Sequence, residues 1–307
     1  MVTTVCLNPS FDKTAEVDAL VPGSLCRVQA TRLDAGGKGV NVAAGVRSLG
    51  GDARVIGFLG EDDAARYEAM LDAVGLEHRF LRVPGGVRTN LKVLSRKDRE
   101  VTEINESGAA VTEESFGAFE RLLRETAADS DWVVLTGSLP PGCGADTYRR
   151  LIGDAGSARC ILDVGGEPLL EGVKASPFLI KPNLYELEQT VRRELTNLQD
   201  IVYAAQRLLT GGVSFAVVSL GADGAVMANL ERAWYAPGIR VEAANTVGAG
   251  DAMIAGLLTG FIAASDPVEA FRSGVAAATA SVLTEGTQAP PRSLFTEMLE
   301  KVRIREV

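Results

Sequence analysis

The segment with the clearest potential for chemistry runs from Asn245 to Asp251 and reads NTVGAGD. Gly248 and Gly250 permit a tight turn, so that they and Ala249 can point successive N–H groups to one place at a helix N-terminus, where the helix dipole favours an anion such as phosphate. Asp251 would place a carboxylate base beside that anion, as phosphoryl transfer to a hydroxyl requires. A glycine turn with an aspartate N-cap explains the same residues equally well from this local pattern alone.

A second glycine cluster, DAGGKGVN at residues 34–41, also leads into a predicted helix. Its glycines allow a ligand to approach the backbone closely, and Lys38 and Asn41 offer an ammonium group and an amide to hydroxyl or phosphate oxygens. A glycine-rich turn before a helix has many structural uses as well, so the cluster by itself does not define a site.

Two further polar segments each follow a predicted strand, at the edge where an open α/β sheet binds its ligands. They are TGSLPPG at residues 136–142 and KPNLYE at residues 181–186. The first reads equally well as a rigid turn. In the second, Asn183 and Glu186 lie on one helical face, and Glu186 and Asp163 can both reach a hydrated Mg²⁺, an ion that takes few protein carboxylates. Surface carboxylates without a ligand are the commoner case.

Several classes of site are excluded by what the sequence lacks. There is no GxxxxGK[ST] loop and no GxGxxG after the first strand, so Walker-type nucleotide binding and dinucleotide hydride chemistry lose their main support. The sequence has one histidine, His78, so a Ser-His-Asp or Cys-His catalytic system, or a His-ligated metal centre, would have to depend on that residue alone. Its surroundings, GLEHRF, predict a surface turn. Proton transfer is therefore expected from a carboxylate.

The composition is typical of a soluble globular protein of 307 residues. A net charge of −9 argues against nonspecific nucleic-acid binding. Four scattered cysteines without a CxxC pair indicate neither a zinc site nor a disulfide framework, and fit a reducing cytoplasm. The N-terminus does not resemble a secretory signal, and the longest apolar run, about residues 252–264, is shorter than the ~20 residues that span a bilayer. We expect a cytoplasmic protein that binds neither nucleic acid nor membrane.

The elements that must position these residues follow two patterns. Short alternating runs in residues 12–33 and 88–106 predict half-exposed antiparallel strands, which we expect to form a small sheet inserted into one domain of residues 1–307. Elsewhere strands alternate with helices, which predicts a mostly parallel sheet covered by helices. The predicted strands are 2–7, 54–59, 132–136, 161–164, 178–181 and 215–220, and the predicted helices are 62–74, 113–128, 198–209, 249–264, 267–283 and 293–302.

Seven segments, taken in order, resemble the phosphofructokinase B family of carbohydrate kinases, which share the ribokinase-like fold. They are LNPSFD, AGGKGVN, RTNLKV, TGSLPPG, KPNLYEL, VSLGADGA and NTVGAGD, and they span nearly the whole chain. The resemblance implies a three-layer α/β/α fold with a mostly parallel central sheet and a small β-sheet lid, which commonly forms the dimer contact. It also implies ATP with Mg²⁺ as the phosphoryl donor, a sugar phosphate as the acceptor and a homodimer as the assembly.

The resemblance further implies a role for each matching position. Asp251 is the expected catalytic base, and the backbone N–H groups of Gly248, Ala249 and Gly250 form the expected anion hole. The positions expected to bind the nucleotide or its metal are Lys181, Asn183, Glu186, Ser219, Gly221, Gly224 and Gly250. Those expected to bind the sugar phosphate are Asp12, Arg27, Gly37, Lys38, Asn41, Arg88 and Ser138. In related kinases a monovalent cation such as K⁺ lies near the anion hole, and the matching positions are Asn245, Val247, Ser281, Thr284 and Gly286.

The motifs LNPSFDKT and RTNLKV indicate the hexose-phosphate branch of the family, where Arg27, Lys38 and Arg88 can hold a substrate phosphate. RTNLKV followed by TEINESG is more similar to kinases of fructose 1-phosphate than to tagatose-6-phosphate kinases. The RELTN segment also resembles the minor 6-phosphofructokinase, but that enzyme lacks a lysine at the position of Lys38. The alternative from a different class is a sugar-phosphate or nucleotide sensor without turnover. The presence of Asp251 and Glu186 counts against it.

Overall fold

The computed structural model describes residues 1–98, 100–243, 245–264, 266–284 and 289–307. Within these residues the strands form two separate sheets, one of ten strands and one of four. The ten strands, given in chain order, are β1 (Val2–Cys6), β4 (Ala53–Gly60), β5 (Glu77–Val83), β8 (Trp132–Thr136), β9 (Arg159–Asp163), β10 (Leu179–Ile180), β11 (Phe215–Ser219), β12 (Gly224–Ala228), β13 (Ala233–Pro237) and β14 (Arg305–Glu306). The four strands are β2 (Ser10–Val17), β3 (Val28–Gly36), β6 (Arg88–Ser95) and β7 (Val101–Asn105).

The large sheet is mostly parallel, as the alternation of strands and helices predicts. Its spatial order is β14-β13-β12-β11-β10-β9-β8-β1-β4-β5, and every neighbouring pair from β11 to β5 runs in parallel. Strands β12, β13 and β14 complete one edge with antiparallel pairs. The carboxyl ends of the parallel strands therefore meet at one edge, where ligands bind in open α/β sheets.

Helices cover both faces of the large sheet. They are α1 (Lys38–Ser48), α2 (Ala64–Ala73), α3 (Glu113–Ala127), α4 (Thr147–Asp154), α5 (Gly166–Gly172), α6 (Leu184–Val191), α7 (Leu198–Leu209), α8 (Ala249–Ala264), α9 (Pro267–Ser281) and α10 (Arg292–Lys301). The boundaries follow local chemistry: Thr112, for example, caps α3 by accepting a hydrogen bond from the Ser115 N–H. In the described part of the chain, no helix has both the length and the apolar character needed to cross a membrane.

The core consists of two apolar layers, one on each face of the sheet. Along β8, Trp132 and Val134 belong to the layer under α1, α2, α8, α9 and α10, whereas Val133 and Leu135 belong to the layer under α3, α4, α5, α6 and α7. This alternation follows from the two-residue period of a strand. The expected three-layer α/β/α arrangement is confirmed.

The small sheet has the order β3-β2-β6-β7 and is separate from the large one, as the alternating segments predict. The expectation of antiparallel strands is correct for the two outer pairs only: β3 and β7 run antiparallel to their neighbours, whereas β2 and β6 come from separate segments and pair in parallel. Three residues connect β1 to β2, and Gly37 alone connects β3 to α1. The small sheet is thus joined to the main body directly beside the N-terminus of α1.

The predicted turn at His78 is wrong. His78 lies in β5, the last strand of the large sheet, and its Nε2 atom is 3.1 Å from Oδ1 of Asp72. The strand was missed because EHRFLRV contains four charged or titratable residues. They lie in a strand that packs only one face on the core and exposes the other. The imidazole of His78 lies 3.1 Å from the Asp72 carboxylate and 3.9 Å from that of Glu68.

Candidate active site

A cleft of about 470 Å³ lies between the two sheets, at the carboxyl ends of the parallel strands. Its floor is formed by the N-termini of α1 and α8 and by the residues that follow β10 and β11. Its roof is the inward face of the small sheet. The lining residues that sequence analysis predicted are Asp12, Gly37, Lys38, Asn41, Arg88, Lys181, Asn183, Glu186, Ser219, Gly221, Gly224, Val247, Gly248, Ala249, Gly250 and Asp251. Residues from six of the seven motifs thus converge on one cavity.

Asp251 is buried in the first turn of α8, and its Oδ2 atom accepts a hydrogen bond of 2.8 Å from the Asn41 side-chain amide. Burial raises the pKa of Asp251 to about 6, although the nearby Lys38 ammonium group and the Asn41 hydrogen bond act in the opposite direction. A carboxylate with a pKa just below neutrality is ionised at pH 7 and still basic enough to accept a proton from a hydroxyl in a transition state.

The backbone in front of Asp251 forms a concave donor surface. Gly248 has φ of 85°, a conformation that costs other residues about 1–2 kcal/mol, and its carbonyl accepts the first hydrogen bond of the helix, from Ala252. The N–H groups of Ala249, Gly250 and Asp251 therefore belong to the first turn, whose donors have no partner within the helix. This arrangement suits an anion at the helix terminus.

Lys181 lies directly beneath this turn. Its Nζ atom is 3.3 Å from the position that a Cβ atom on Gly250 would occupy, so the absence of a side chain at residue 250 lets the ammonium group approach the backbone. Lys181 is buried, and its Nζ atom is 2.8 Å from Oδ1 of Asp163. Positive charge is thus added to the donor surface from below.

Asp163 anchors two ammonium groups. It is fully buried, with Lys181 at Oδ1, and Lys38 and the Thr136 hydroxyl at Oδ2 at 3.4 and 2.8 Å. Burial alone would raise the pKa of Asp163, but the two lysines outweigh burial and lower it to about 2. The same contact raises the pKa of Lys38 above its ordinary value. Protein groups contact both carboxylate oxygens, and Asp163, unlike Glu186, does not line the cleft.

Asn183 and Glu186 form a capping box at the start of α6. The Asn183 side chain accepts from the Glu186 N–H, and Oε2 of Glu186 accepts from the Asn183 N–H, each at 2.8 Å. Glu186 lines the cleft and is half-buried, so its other oxygen suits a hydrated Mg²⁺ better than Asp163 does. No cluster of three or more His, Cys, Asp or Glu side chains around a metal-sized space occurs among the described residues.

The small sheet contributes a second polar network to the cleft. Oδ1 of Asp12 accepts hydrogen bonds from the Ser10 hydroxyl at 2.8 Å and from the Asn90 amide at 3.1 Å. The Lys92 ammonium group lies 3.6 Å from Oδ2 of Asp12. Arg88, on the same strand as Asn90 and Lys92, donates from Nε to the Asn8 carbonyl at 3.1 Å. Burial lowers the pKa of Arg88 below its ordinary value.

Two predicted sugar-phosphate residues do not line the cleft. Arg27 is exposed near the start of β3, and Ser138 is exposed on the loop after β8, where its hydroxyl accepts from the Asn8 amide at 3.2 Å. Conversely, the cleft contains lid residues that sequence analysis missed: Asn90, Lys92, Glu103 and Asn105. The period of two in RTNLK was the available signal, because it places Arg88, Asn90 and Lys92 on one face of a strand.

Four of the five positions predicted for a monovalent cation lie close together behind the anion hole. Val247 and Ser281 line one small cavity next to Asp251. Oδ1 of Asn245 accepts from the Val247 N–H, and the Thr284 hydroxyl donates to the Ser281 carbonyl. Gly286, also predicted for this site, lies outside the described residues.

Comparison with known proteins identifies the class to which this fold and site belong. Residues 6–293 match the pfkB family carbohydrate kinase model, so the chain belongs to that family and is a kinase that transfers phosphate to a sugar hydroxyl. The resemblance inferred from the seven motifs is confirmed.

Two similar curated proteins are named 1-phosphofructokinases, and one similar structure is a phosphofructokinase-2. The chain is 37% identical to the 1-phosphofructokinase of Rhodobacter capsulatus, over 99% of this chain and 97% of the relative, and 34% identical to that of Escherichia coli K12, over 99% and 98%. The structure of E. coli phosphofructokinase-2 in complex with potassium superposes with a TM-score of 0.90 at 31% identity, covering 98% of both chains.

Proposed function

We propose that this chain is an ATP-dependent 1-phosphofructokinase, which converts fructose 1-phosphate and ATP to fructose 1,6-bisphosphate and ADP. The observation that carries the proposal is the buried Asp251, with a pKa of about 6, at a helix N-terminus flanked by Lys38 and Lys181. The full-length similarity to 1-phosphofructokinases from two bacteria supports the choice of substrate.

In the proposed mechanism, the 6-hydroxyl of fructose 1-phosphate attacks the γ-phosphorus of ATP in line with the leaving ADP oxygen. Asp251 accepts the hydroxyl proton, and the Asn41 amide holds the carboxylate in place. The N–H groups of the first turn of α8 receive the charge that develops on the transferred phosphoryl group, with Lys38 and Lys181 beside them. Positioning and electrostatics supply most of what this reaction needs.

We place the nucleotide on the opposite side of the cleft from the small sheet. Ser219, Gly221 and Gly224 line that side, next to Asn183 and Glu186. Glu186 would hold Mg²⁺ through water, and the ion when bound neutralises charge on the ATP phosphates. In the same proposal K⁺ binds near Asn245, Val247, Ser281, Thr284 and Gly286, and the potassium complex of E. coli phosphofructokinase-2 supports this.

We further propose a homodimer formed through the small sheet, in the cytoplasm. Leu25 is 82% exposed in the loop before β3, and Val28 at the start of that strand is also exposed. Exposed apolar groups on an edge strand favour pairing with a second sheet. All four cysteines are free thiols, as a reducing compartment requires. Light scattering at micromolar concentration should give twice the mass of one chain. A monomer would contradict the assembly, and a tetramer is known for inhibited E. coli phosphofructokinase-2.

The test of function is ADP release by the purified protein with ATP and Mg²⁺. The acceptors are fructose 1-phosphate, tagatose 6-phosphate, fructose 6-phosphate and the unphosphorylated sugars. The proposal expects the highest kcat/KM for fructose 1-phosphate and at least a thousandfold loss of kcat in Asp251→Asn, about the scale of general-base catalysis. A preference for tagatose 6-phosphate or fructose 6-phosphate would reassign the substrate within the family, and binding without turnover would favour the sensor.

A further inference from the structure

We propose that Tyr67 is a positioning residue for the acceptor: its hydroxyl holds the junction of β3 and α1 at Gly36, against which the Asp12 carboxylate lies. The proposal rests on the proposed function, since it takes Asp12 to contact the sugar phosphate. Tyr67 lies in α2, outside the lining of the cleft, so it would act on the reaction only through the residues that it holds in place.

The small sheet is joined to the main body at four places, where the chain passes from one sheet to the other. Three of these connections are bonded to one another. The Asn8 amide donates to the Ser107 carbonyl at 3.0 Å, and the Arg88 guanidinium group donates to the Asn8 carbonyl. Arg88 also donates to the Glu106 carbonyl. These bonds connect the segments before β2, before β6 and after β7, whereas the fourth connection, from β3 to α1, has different contacts.

Tyr67 makes the contacts that hold this fourth connection. Its side chain is fully buried, and its hydroxyl donates to the carbonyl of Gly36, the last residue of β3. Its ring makes edge-to-face contacts with Phe11 in the small sheet and Phe80 in the large sheet, at centroid distances of 5.6 and 5.9 Å. One side chain thus contacts both sheets. The two ring contacts resist separation, and the hydrogen bond, which is directional, fixes where the Gly36 carbonyl lies.

Gly36 transmits its position to Asp12. A Cβ atom on Gly36 would lie 2.4 Å from Cγ of Asp12, so the carboxylate rests directly against the glycine backbone. Ser10, which is opposite Gly36 in the register of β2 and β3, donates its hydroxyl to Oδ1 of Asp12 at 2.8 Å. A displacement of Gly36 would therefore move both a packing surface and a hydrogen-bond donor of a carboxylate that lines the cleft.

The residues that line the nucleotide side of the cleft are separate from this junction. They follow β10 and β11, which are separated from β1 by β8 and β9 in the order of the large sheet. Tyr67 lies towards the opposite end, on the helix between β4 and β5. The loss of the Tyr67 hydroxyl should consequently affect the acceptor and leave ATP binding unchanged, a distinction that a general loss of stability would not produce.

The first measurement is the steady-state kinetics of Tyr67→Phe, with ATP and the acceptor varied in turn. The acceptor is the sugar phosphate on which the wild type has the highest kcat/KM. Phenylalanine keeps both ring contacts and removes only the hydroxyl. We expect kcat/KM for the acceptor to fall about 5–15-fold, the scale of one hydrogen bond, with KM for ATP within twofold of the wild type.

The matched control is Tyr148→Phe, which removes an equally buried hydroxyl from the main body. That hydroxyl is bonded to the carbonyls of Thr136 and Gly137, at 3.2 and 2.9 Å. Urea titrations should show similar losses of stability in the two variants, because each loses one buried hydrogen-bonded group. The kcat/KM of Tyr148→Phe for the acceptor should stay within twofold of the wild type.

The second measurement is amide hydrogen exchange of the wild type and both variants without ligands, followed by mass spectrometry. Tyr67→Phe should accelerate exchange several-fold in β2 and β3, whereas Tyr148→Phe should leave these strands unchanged. Unchanged exchange there in Tyr67→Phe, an unchanged kcat/KM for the acceptor, or an equal loss in the two variants would overturn the proposal. Absence of turnover on every acceptor would refute the proposed function alone, because the exchange comparison still decides whether Tyr67 holds the junction.

Discussion

The contact between Asn41 and Asp251 makes a quantitative prediction about pH. The Asn41 amide donates to the ionised form of the carboxylate, and this hydrogen bond lowers a pKa that burial has raised to about 6. Asn41→Ala removes the donor and leaves the burial. The pKa of Asp251 should therefore rise further, and catalysis that needs the ionised carboxylate should require a higher pH.

The size of the effect can be worked out from the geometry. A hydrogen bond to a charged group contributes about 1.5–3 kcal/mol, and water entering the space left by the amide would recover part of that. A net loss of about 1.4 kcal/mol corresponds to about one pH unit. With a pKa of about 6, the wild type retains about a tenth of its plateau rate at pH 5. Asn41→Ala should reach that fraction near pH 6.

The assay is kcat/KM for fructose 1-phosphate from pH 5 to 8.5. The phosphate monoester itself titrates near pH 6, so a single profile would mix two ionisations. The shift of the midpoint between variant and wild type removes the contribution of the substrate's ionisation, because the pKa of the substrate is the same in both measurements. Asn41 also lines the cleft, so the plateau is expected to fall in the variant. A lower plateau with an unmoved midpoint would refute the reasoning, since it would assign Asn41 to substrate contact alone.

Three further variants test the site through stability and turnover. The pKa of Asp251 is raised from 3.8 to about 6 in the folded state, so the stability that its protonated form provides is present below pH 4 and is lost as pH rises through 6. In urea titrations, Asp251→Asn should therefore raise the free energy of unfolding by up to about 3 kcal/mol at pH 8 and leave it unchanged at pH 4. Asp163→Asn leaves two ammonium groups uncompensated and should lose about 3 kcal/mol in the same titration at pH 7, whereas Asp146→Asn, in a surface ion pair, should lose less than about 0.5 kcal/mol. Gly248→Ala forces φ of 85° on alanine and should cost about 1–2 kcal/mol and at least tenfold in kcat, whereas Gly153→Ala, in a helix with open space around it, should stabilise the protein by about 0.5–1 kcal/mol. Equal losses in Asp163→Asn and Asp146→Asn, or equal effects of Gly248→Ala and Gly153→Ala, would contradict the roles given to Asp163 and Gly248. A gain in stability of Asp251→Asn that does not vary with pH would contradict the raised pKa of Asp251.

Much of the fold could be predicted because hydrophobic periodicity and capping residues agree locally. The predicted helix at residues 198–209 coincides with α7, and the predicted strand at residues 132–136 coincides with β8. The hairpin of β12 and β13 was missed, because its short apolar runs lie among alanines and glycines that are weak strand formers. Helix α5 was missed for a related reason, since it begins with Gly-Glu-Pro.

The candidate site was predicted best where a backbone conformation demands particular residues. The turn at Gly248 leaves a sequence trace because its φ requires glycine. Long-range pairing leaves no such trace: nothing in the sequence links Lys181 to Asp163, or Asn41 to Asp251, which lies 210 residues away. Lys92 was missed because a lysine on an alternating strand is ordinarily solvated.

Only Gly37 lies between β3 and α1, so we expect the protein not to tolerate insertions or deletions at this point. Inserting one residue next to Gly37 would rotate α1 by about 100° relative to β3, since the helix has 3.6 residues per turn, and Asn41 would no longer face Asp251. An insertion in the exposed loop at residues 20–25 changes no such angle, so the fold of a single chain should tolerate it. Because Leu25 in that loop belongs to the proposed dimer contact, such an insertion should instead weaken the dimer, whereas only point substitutions should be used at the base of the small sheet.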